Sequence, residues 1–213
     1  MLRRPPLLLN RRTLIAAFAG ATFVAGRQGI AAAQTRLRPT PAQTEGPFYP
    51  VDFPPDVDND LLRIGDGDPA RGNVVHLAGR VRDVSGSPVP GARVEIWQCD
   101  HSGVYRHPRD SGFARLDGNF QGYGRTATGA DGSYAFRTIR PVPYSGRTPH
   151  IHFAVAAPSR PRLITQMYVA GEARNERDFL YRNLGEARGL VTVALQAAPE
   201  PGALAGRFDI VLA

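Results

Sequence analysis

From residue 74 to the C-terminus the chain is a succession of short apolar runs broken by turn signals, and this punctuation restricts the fold more than any other feature. The runs are 74–84, 92–99, 133–139, 150–156, 163–169, 190–195 and 207–212, rich in β-branched and aromatic side chains. Ser85-Gly86-Ser87-Pro88, Pro90-Gly91 and Ala130-Asp131-Gly132 lie between them, and 23 Gly and 19 Pro leave little room for long helices. Seven short runs at this spacing predict an all-β fold, an antiparallel β-sandwich over residues 73–213. Residues 34–72 are Pro-, Asp- and Gly-rich without periodicity and read as an extended N-terminal arm whose compact apolar cluster is 44–50. The polar stretch 172–188 has room for one short helix.

Residues 1–33 carry five arginines and no acid, with Arg11-Arg12 directly before the apolar stretch 13–26 and Ala31-Ala32-Ala33 after it. A charged start, a moderate apolar core and a small-residue cut site read as a signal peptide, and the arginine pair gives it a twin-arginine character. Fourteen apolar residues are too few to span a bilayer comfortably, so a stable membrane anchor is not expected. The expectation is a periplasmic or secreted protein. Removing those five arginines from 26 leaves 21 basic against 19 acidic side chains, a net charge of +2, which gives no reason to expect a nucleic-acid partner. The chain has no lysine, which excludes Schiff-base chemistry, and its single cysteine, Cys99, excludes a disulfide framework or a multi-cysteine metal site.

The chemistry-bearing residues are histidines and tyrosines. His150-Ile151-His152-Phe153-Ala154-Val155 alternates with period two, so in a strand both imidazoles point to one face while Ile151, Phe153 and Val155 face the core. Such a pair either holds a metal ion or decorates the solvent face of a half-buried strand. Two loops, 100–107 and 144–149, adjoin strand-like runs and bring Tyr105, Tyr144 and Arg147 into consideration. Imidazole nitrogen with phenolate oxygen suits ferric iron, whereas zinc favours cysteine, histidine and carboxylate.

From Thr44 to the C-terminus the chain resembles the intradiol ring-cleavage dioxygenases, particularly the protocatechuate 3,4-dioxygenase type. The resemblance is carried by Thr44-Glu45-Gly46-Pro47-Phe48-Tyr49, Gly79-Arg80-Val81, Pro88-Val89-Pro90-Gly91-Ala92, Val94-Glu95-Ile96-Trp97-Gln98 and Gly103-Val104-Tyr105-Arg106-His107. It continues through Asp131-Gly132-Ser133-Tyr134-Ala135-Phe136-Arg137-Thr138-Ile139, Pro149-His150-Ile151-His152-Phe153, Leu163-Ile164-Thr165-Gln166 and Gly206-Arg207-Phe208-Asp209-Ile210-Val211-Leu212. It implies one non-haem ferric ion, Fe(III), per chain, held by Tyr105, Tyr144, His150 and His152, with Tyr144 and His152 as the axial pair. It also implies catalytic roles for Tyr144, as proton acceptor, and for Arg147, as stabiliser of developing negative charge. Gly46, Pro47 and Gln166 would contact substrate.

The implied reaction is cleavage of a catechol by dioxygen to a muconate-type diacid. Arg106, Arg109 and Arg147 fit a carboxylated ring without requiring one. The loop from Tyr144 to His150 is shorter than in the protocatechuate enzymes and lacks their tryptophan-containing insertion, which leaves the choice of catechol open. One chain carries both the arm and the donor set, which suits a homo-oligomer. The competing reading is a non-catalytic, transthyretin-like β-sandwich binding module in the periplasm, which needs none of the five chemistry-bearing residues. His76, His101 and His107 are expected at the surface or in hydrogen bonds. Tyr134 and Tyr168 are expected in core or rim, Tyr123 and Tyr181 partly exposed, and Cys99 buried and inert.

Overall fold

The computed structural model describes residues 36–54 and 56–213; the expected export signal, 1–33, lies outside them. Among the described residues, ten strands form two five-stranded sheets: β1 Val74–Asp83, β2 Arg93–Trp97, β3 Tyr123–Ala127, β4 Ser133–Ile139, β5 His150–Ala156, β6 Leu163–Val169, β7 Thr192–Val193, β8 Gln196–Ala197, β9 Leu204–Arg207 and β10 Ile210–Leu212. One sheet has the order β3-β2-β5-β6-β7, and the other is built around β1 with β4, β8, β9 and β10.

The long strand β1 alternates as its sequence suggests, with Val75, Leu77 and Val81 inward. These side chains meet Phe136 and Ile139 of β4 and the inward face of the other sheet, namely Val94, Ile96, Ile151, Phe153, Val155 and Met167. Each such burial contributes about 1.5–3 kcal/mol. Two sheets sharing one apolar interior make the expected all-β sandwich.

Its strands are not uniformly antiparallel: β1 pairs in parallel with β9 and with β10, and β6 pairs in parallel with β7. In each case a connection long enough to reverse the chain separates the partners, so no hairpin forces an antiparallel start. The run 207–212 divides because Phe208 turns into the core and Asp209 accepts a hydrogen bond from the Arg80 amide. Strand β3, an edge strand of sequence Tyr-Gly-Arg-Thr-Ala, has too little apolar alternation to be legible. The polar stretch folds as the 3₁₀ turn Ala173–Arg177, the helix α1 Phe179–Asn183 and the 3₁₀ turn Gly185–Leu190, so the expected short helix has a helical turn on either side.

The arm is tied down along its length. The Leu37, Thr40 and Gln43 amides donate to the carbonyls of Val84, Val211 and Ile164, so the arm crosses from the β1 sheet to the β6 edge. Further on, Leu61 and Leu62 enter the core.

Candidate metal centre

Strand β5 lies between β2 and β6, hydrogen-bonded on both edges. Its imidazoles share the face opposite Ile151 and Phe153, as the alternation requires, but that face is covered: His150 and His152 are 1% and 2% exposed. This removes the solvent-face reading of the pair. His150 Nδ1 lies 2.7 Å from the Thr148 carbonyl and must donate to it, which leaves a lone pair on Nε2. That nitrogen is 3.2 Å from His152 Nε2, and the Trp97 ring stacks on His152 at 4.8 Å and fixes its plane.

The phenols come from turns. Arg147 N donates to the Tyr144 carbonyl, closing a two-residue turn whose central residues, Ser145 and Gly146, have φ of 42° and 81°. Residues flanking such a turn are a cross-strand pair, so Tyr144 and Arg147 project to one side. Tyr144 Oη reaches His150 Nε2 at 3.3 Å. Tyr105 follows a loop pinned by Asp100, whose carboxylate accepts from the Ser102 and Val104 amides, and by Asp110, which accepts from the Tyr105 amide. The Tyr105 and Tyr144 rings meet edge to face at 4.9 Å, and Tyr105 stands 6.2 Å from the His152 ring.

The four expected donors therefore converge. Burial holds His150 at about 4, with Arg147 adding to the effect, and holds His152 well below the usual imidazole range; both rings are neutral and offer lone pairs at pH 7. Burial raises Tyr105 well above an ordinary phenol, and raises Tyr144 too, so each needs a cation to ionise it. Tyr105 Oη is buried without a partner, and the facing nitrogens are spaced as two donors each about 2 Å from a common ion would be. Among the described residues no group of three or more His, Cys, Asp or Glu could hold a metal, so any metal capacity here depends on the phenols. The residues fit a ferric ion.

The arm closes one side of the cluster. Gly46 has φ +74°, and a Cβ there would stand 3.3 Å from His152 Cε1, so only glycine leaves that approach open without backbone strain. Phe48 stacks on Tyr105 at 4.8 Å, and the Pro47 carbonyl accepts from Arg109. Arg106 donates to the carbonyls of Gly118 and Phe120. Neither arginine is aimed at the donors.

Arg147 is different. Its Nε donates to Asp178 Oδ2 at 2.6 Å and a terminal nitrogen donates to Gln166 Oε1 at 2.8 Å. Burial alone would lower the Arg147 pKa, but the Asp178 hydrogen bond and charge raise it above its ordinary value. Asp178 also caps α1 through the Tyr181 amide and accepts from the Thr148 amide. Gln166 is fully buried, its oxygen shared by Arg147 and Tyr168 and its nitrogen donating to the Thr44 carbonyl. A surface cleft of about 350 Å³ is lined by Val142, Pro143 and Pro149 together with His101, Arg140 and Glu172, and none of the four donors lines it.

Asp178, Thr148, Trp97, Phe48 and Tyr168 belong to this site, although the sequence assigned none of them to it and placed Tyr168 only in core or rim. Phe48 and Trp97, inside motifs of the family resemblance, and Thr148, in the 144–149 loop, carried some signal. Of the other histidines, His76 pairs with Glu200 at the surface, His101 is partly exposed beside Ser102, and His107 is buried with Nδ1 accepting from the Arg109 amide. Tyr123 and Tyr181 are buried, not partly exposed: Tyr123 is edge-on to Tyr49 and Tyr181 packs on Tyr168. Cys99 is buried and its thiol is pushed up to about 12, first by desolvation and then by Asp100, as suits an inert side chain.

A family model described as Dioxygenase matches residues 44–213. The chain is 36% identical over 179 residues to the protocatechuate 3,4-dioxygenase beta chain of Burkholderia cepacia, covering 78% of this chain and 76% of that one. It is 34% identical over 204 residues to a hydroxyquinol 1,2-dioxygenase of Nocardioides simplex, covering 82% of this chain and 64% of the relative. Against a catechol 1,2-dioxygenase of Acinetobacter baylyi it is 31% identical and spans 54% of that protein's length. Among solved structures, the dioxygenase domain of a dioxygenase–carbohydrate-binding fusion from Streptomyces sp. SirexAA-E superposes with a TM-score of 0.65 at 34% identity, covering 82% of this chain and 98% of that domain. The chain belongs to the intradiol ring-cleavage dioxygenases.

Proposed function

We propose that Tyr105, Tyr144, His150 and His152 hold one non-haem ferric ion per chain and that the protein cleaves a catechol between its two hydroxyl-bearing carbons with dioxygen, giving a muconate-type diacid. The observation that carries this reading is the meeting of four donors: Nε2 to Nε2 at 3.2 Å, Tyr144 Oη to His150 Nε2 at 3.3 Å, and a buried Tyr105 Oη with no other partner. When bound, the ferric ion supplies Lewis acidity and makes the ring reactive toward dioxygen.

The protein's own groups have separable tasks. The neutral imidazoles bind without adding charge, and Thr148 and Trp97 keep their orientation. Tyr144, the less buried phenol, takes a proton from an entering catechol hydroxyl. Arg147 opposes negative charge that develops on the ring, a contribution of about 3–4 kcal/mol in a dry site. Gln166 acts through Arg147, and Gly46 and the Pro47 carbonyl shape the arm side of the pocket.

A non-catalytic binding module has no use for a convergence of buried phenols and neutral imidazoles, and family membership also disfavours it. Residues 1–33 support export by the twin-arginine route to the periplasm or beyond, and a chain carrying both arm and donors supports a homo-oligomer. The test is oxygen uptake by the iron-loaded protein against a panel of substituted catechols, with the product identified. An intradiol diacid is expected; absence of uptake with every catechol overturns the reading.

A further inference from the structure

The Arg147 guanidinium beside the donor cluster is electrically matched. Arg147 is 15% exposed and its partner Asp178 is 0% exposed, at 2.6 Å, so the pair adds no net charge to the pocket. Arg140, on the lining of the surface cleft, is likewise paired, with Glu172 at 2.7 Å. Arg106 and Arg109, the other arginines of the donor loops, are turned onto backbone carbonyls and hold the loop and the arm together. A ring carboxylate brought against Arg147 would lose its hydration and meet a guanidinium whose charge Asp178 already offsets. A ring without charge gives up nothing comparable.

Asp178 is also placed to set where Arg147 points. One carboxylate oxygen takes the Arg147 Nε and the Thr148 amide, and the other caps α1 through the Tyr181 amide. Thr148 is in turn the residue whose carbonyl fixes the His150 tautomer. The same carboxylate thus anchors the Arg147 head and the backbone next to a donor histidine.

We propose that Asp178 is a positioning residue for Arg147 and that its compensating charge makes the site select a catechol with an uncharged ring over one bearing a carboxylate. This rests on the functional reading above and goes beyond it by naming the substrate class.

The test compares kcat/KM for catechol and for 3,4-dihydroxybenzoate in iron-loaded wild type and in Asp178→Asn, with iron content and visible absorption measured on each. Wild type prefers catechol by at least about tenfold, or about 1.4 kcal/mol. In Asp178→Asn the Tyr181 cap survives through the amide oxygen, the iron and its colour persist, and kcat on catechol falls about tenfold. The unmatched Arg147 then moves the preference about tenfold toward 3,4-dihydroxybenzoate, chiefly through its KM, an effect that salt weakens. Loosened packing alone slows both substrates and leaves their ratio unchanged. If Asp178→Asn does not fold, Asp178→Glu keeps the charge and shifts the head: kcat falls and the wild-type ratio stays.

Wild type that cleaves 3,4-dihydroxybenzoate as well as catechol overturns the proposal while leaving the dioxygenase reading intact. So does an unchanged ratio in Asp178→Asn, or a changed one in Asp178→Glu. No cleavage of any catechol overturns the functional reading and this inference with it.

Discussion

The imidazoles and the phenols of the cluster are held by different kinds of structure. His150 and His152 stand on a strand bonded to neighbours on both edges, backed by Ile151 and Phe153 in the core, with one ring stacked on Trp97 and the other tied to a carbonyl. Tyr105 and Tyr144 stand on turns whose shape depends on a few local groups: the Asp100 and Asp110 carboxylates, and positive φ at Ser145 and Gly146. Long-range pairing fixes the first half, so its geometry is insensitive to any one neighbour. The second half is set by local hydrogen bonds and close approaches, where one atom matters.

Four substitutions probe that contrast. The largest effect is expected from His152→Ala, which removes a donor from the rigid half: iron content falls below about a tenth of wild type and the colour goes with it, measured by metal analysis and absorption. Full occupancy in that variant would remove His152 from the donor set. Arg147→Lys, at the turn, is expected to keep the iron and lower kcat by about 10²-fold, because a single ammonium cannot span Asp178 and Gln166. Steady-state oxygen uptake decides, and unaltered turnover counts against a role for the guanidinium.

Gly103→Ala tests the turn half without replacing a donor. The residue has φ +80°, and an added Cβ would lie 3.1 Å from the Pro143 carbonyl and 3.4 Å from Tyr144 Cβ. A cost of about 1–3 kcal/mol is expected in urea denaturation, together with faster iron loss to a chelator. A variant as stable and as iron-retentive as wild type would show that the two tyrosine loops do not depend on this approach. The smallest effect is expected from His76→Ala, outside the cluster. Its pairing with Glu200 is exposed to solvent and screened, so iron and turnover should be unchanged.

The same contrast explains what the sequence disclosed. The histidine pair was legible from alternation alone, because a period of two fixes which side chains share a face whatever the partner strands are. Alternation alone could not say whether that face was wet or covered; Phe48 and Trp97, which help to cover it, approach from the arm and from β2. Tyr105 and Tyr144 had no periodic signal: they entered through loops adjoining strand-like runs, and the family resemblance assigned them as ligands, since turns converge through tertiary contacts. Asp178 lies 31 residues from Arg147 in a stretch that read simply as polar, so nothing local linked the two. The sandwich followed from punctuation and β-branched runs. The parallel pairings of β9 and β10 with β1 did not, because they depend on where the C-terminal segment returns, and β3 was too short and polar to stand out.

The central claim is that two phenolates and two imidazoles share one ferric ion, and visible absorption of the iron-loaded protein, read alongside its metal content, tests it most directly. One iron per chain with a tyrosinate-to-iron charge-transfer band, red to burgundy by eye, is predicted for wild type, the band disappearing in the Tyr105→Phe/Tyr144→Phe double variant. A protein with stoichiometric iron and no such band, or a band that survives removal of both phenols, contradicts the account.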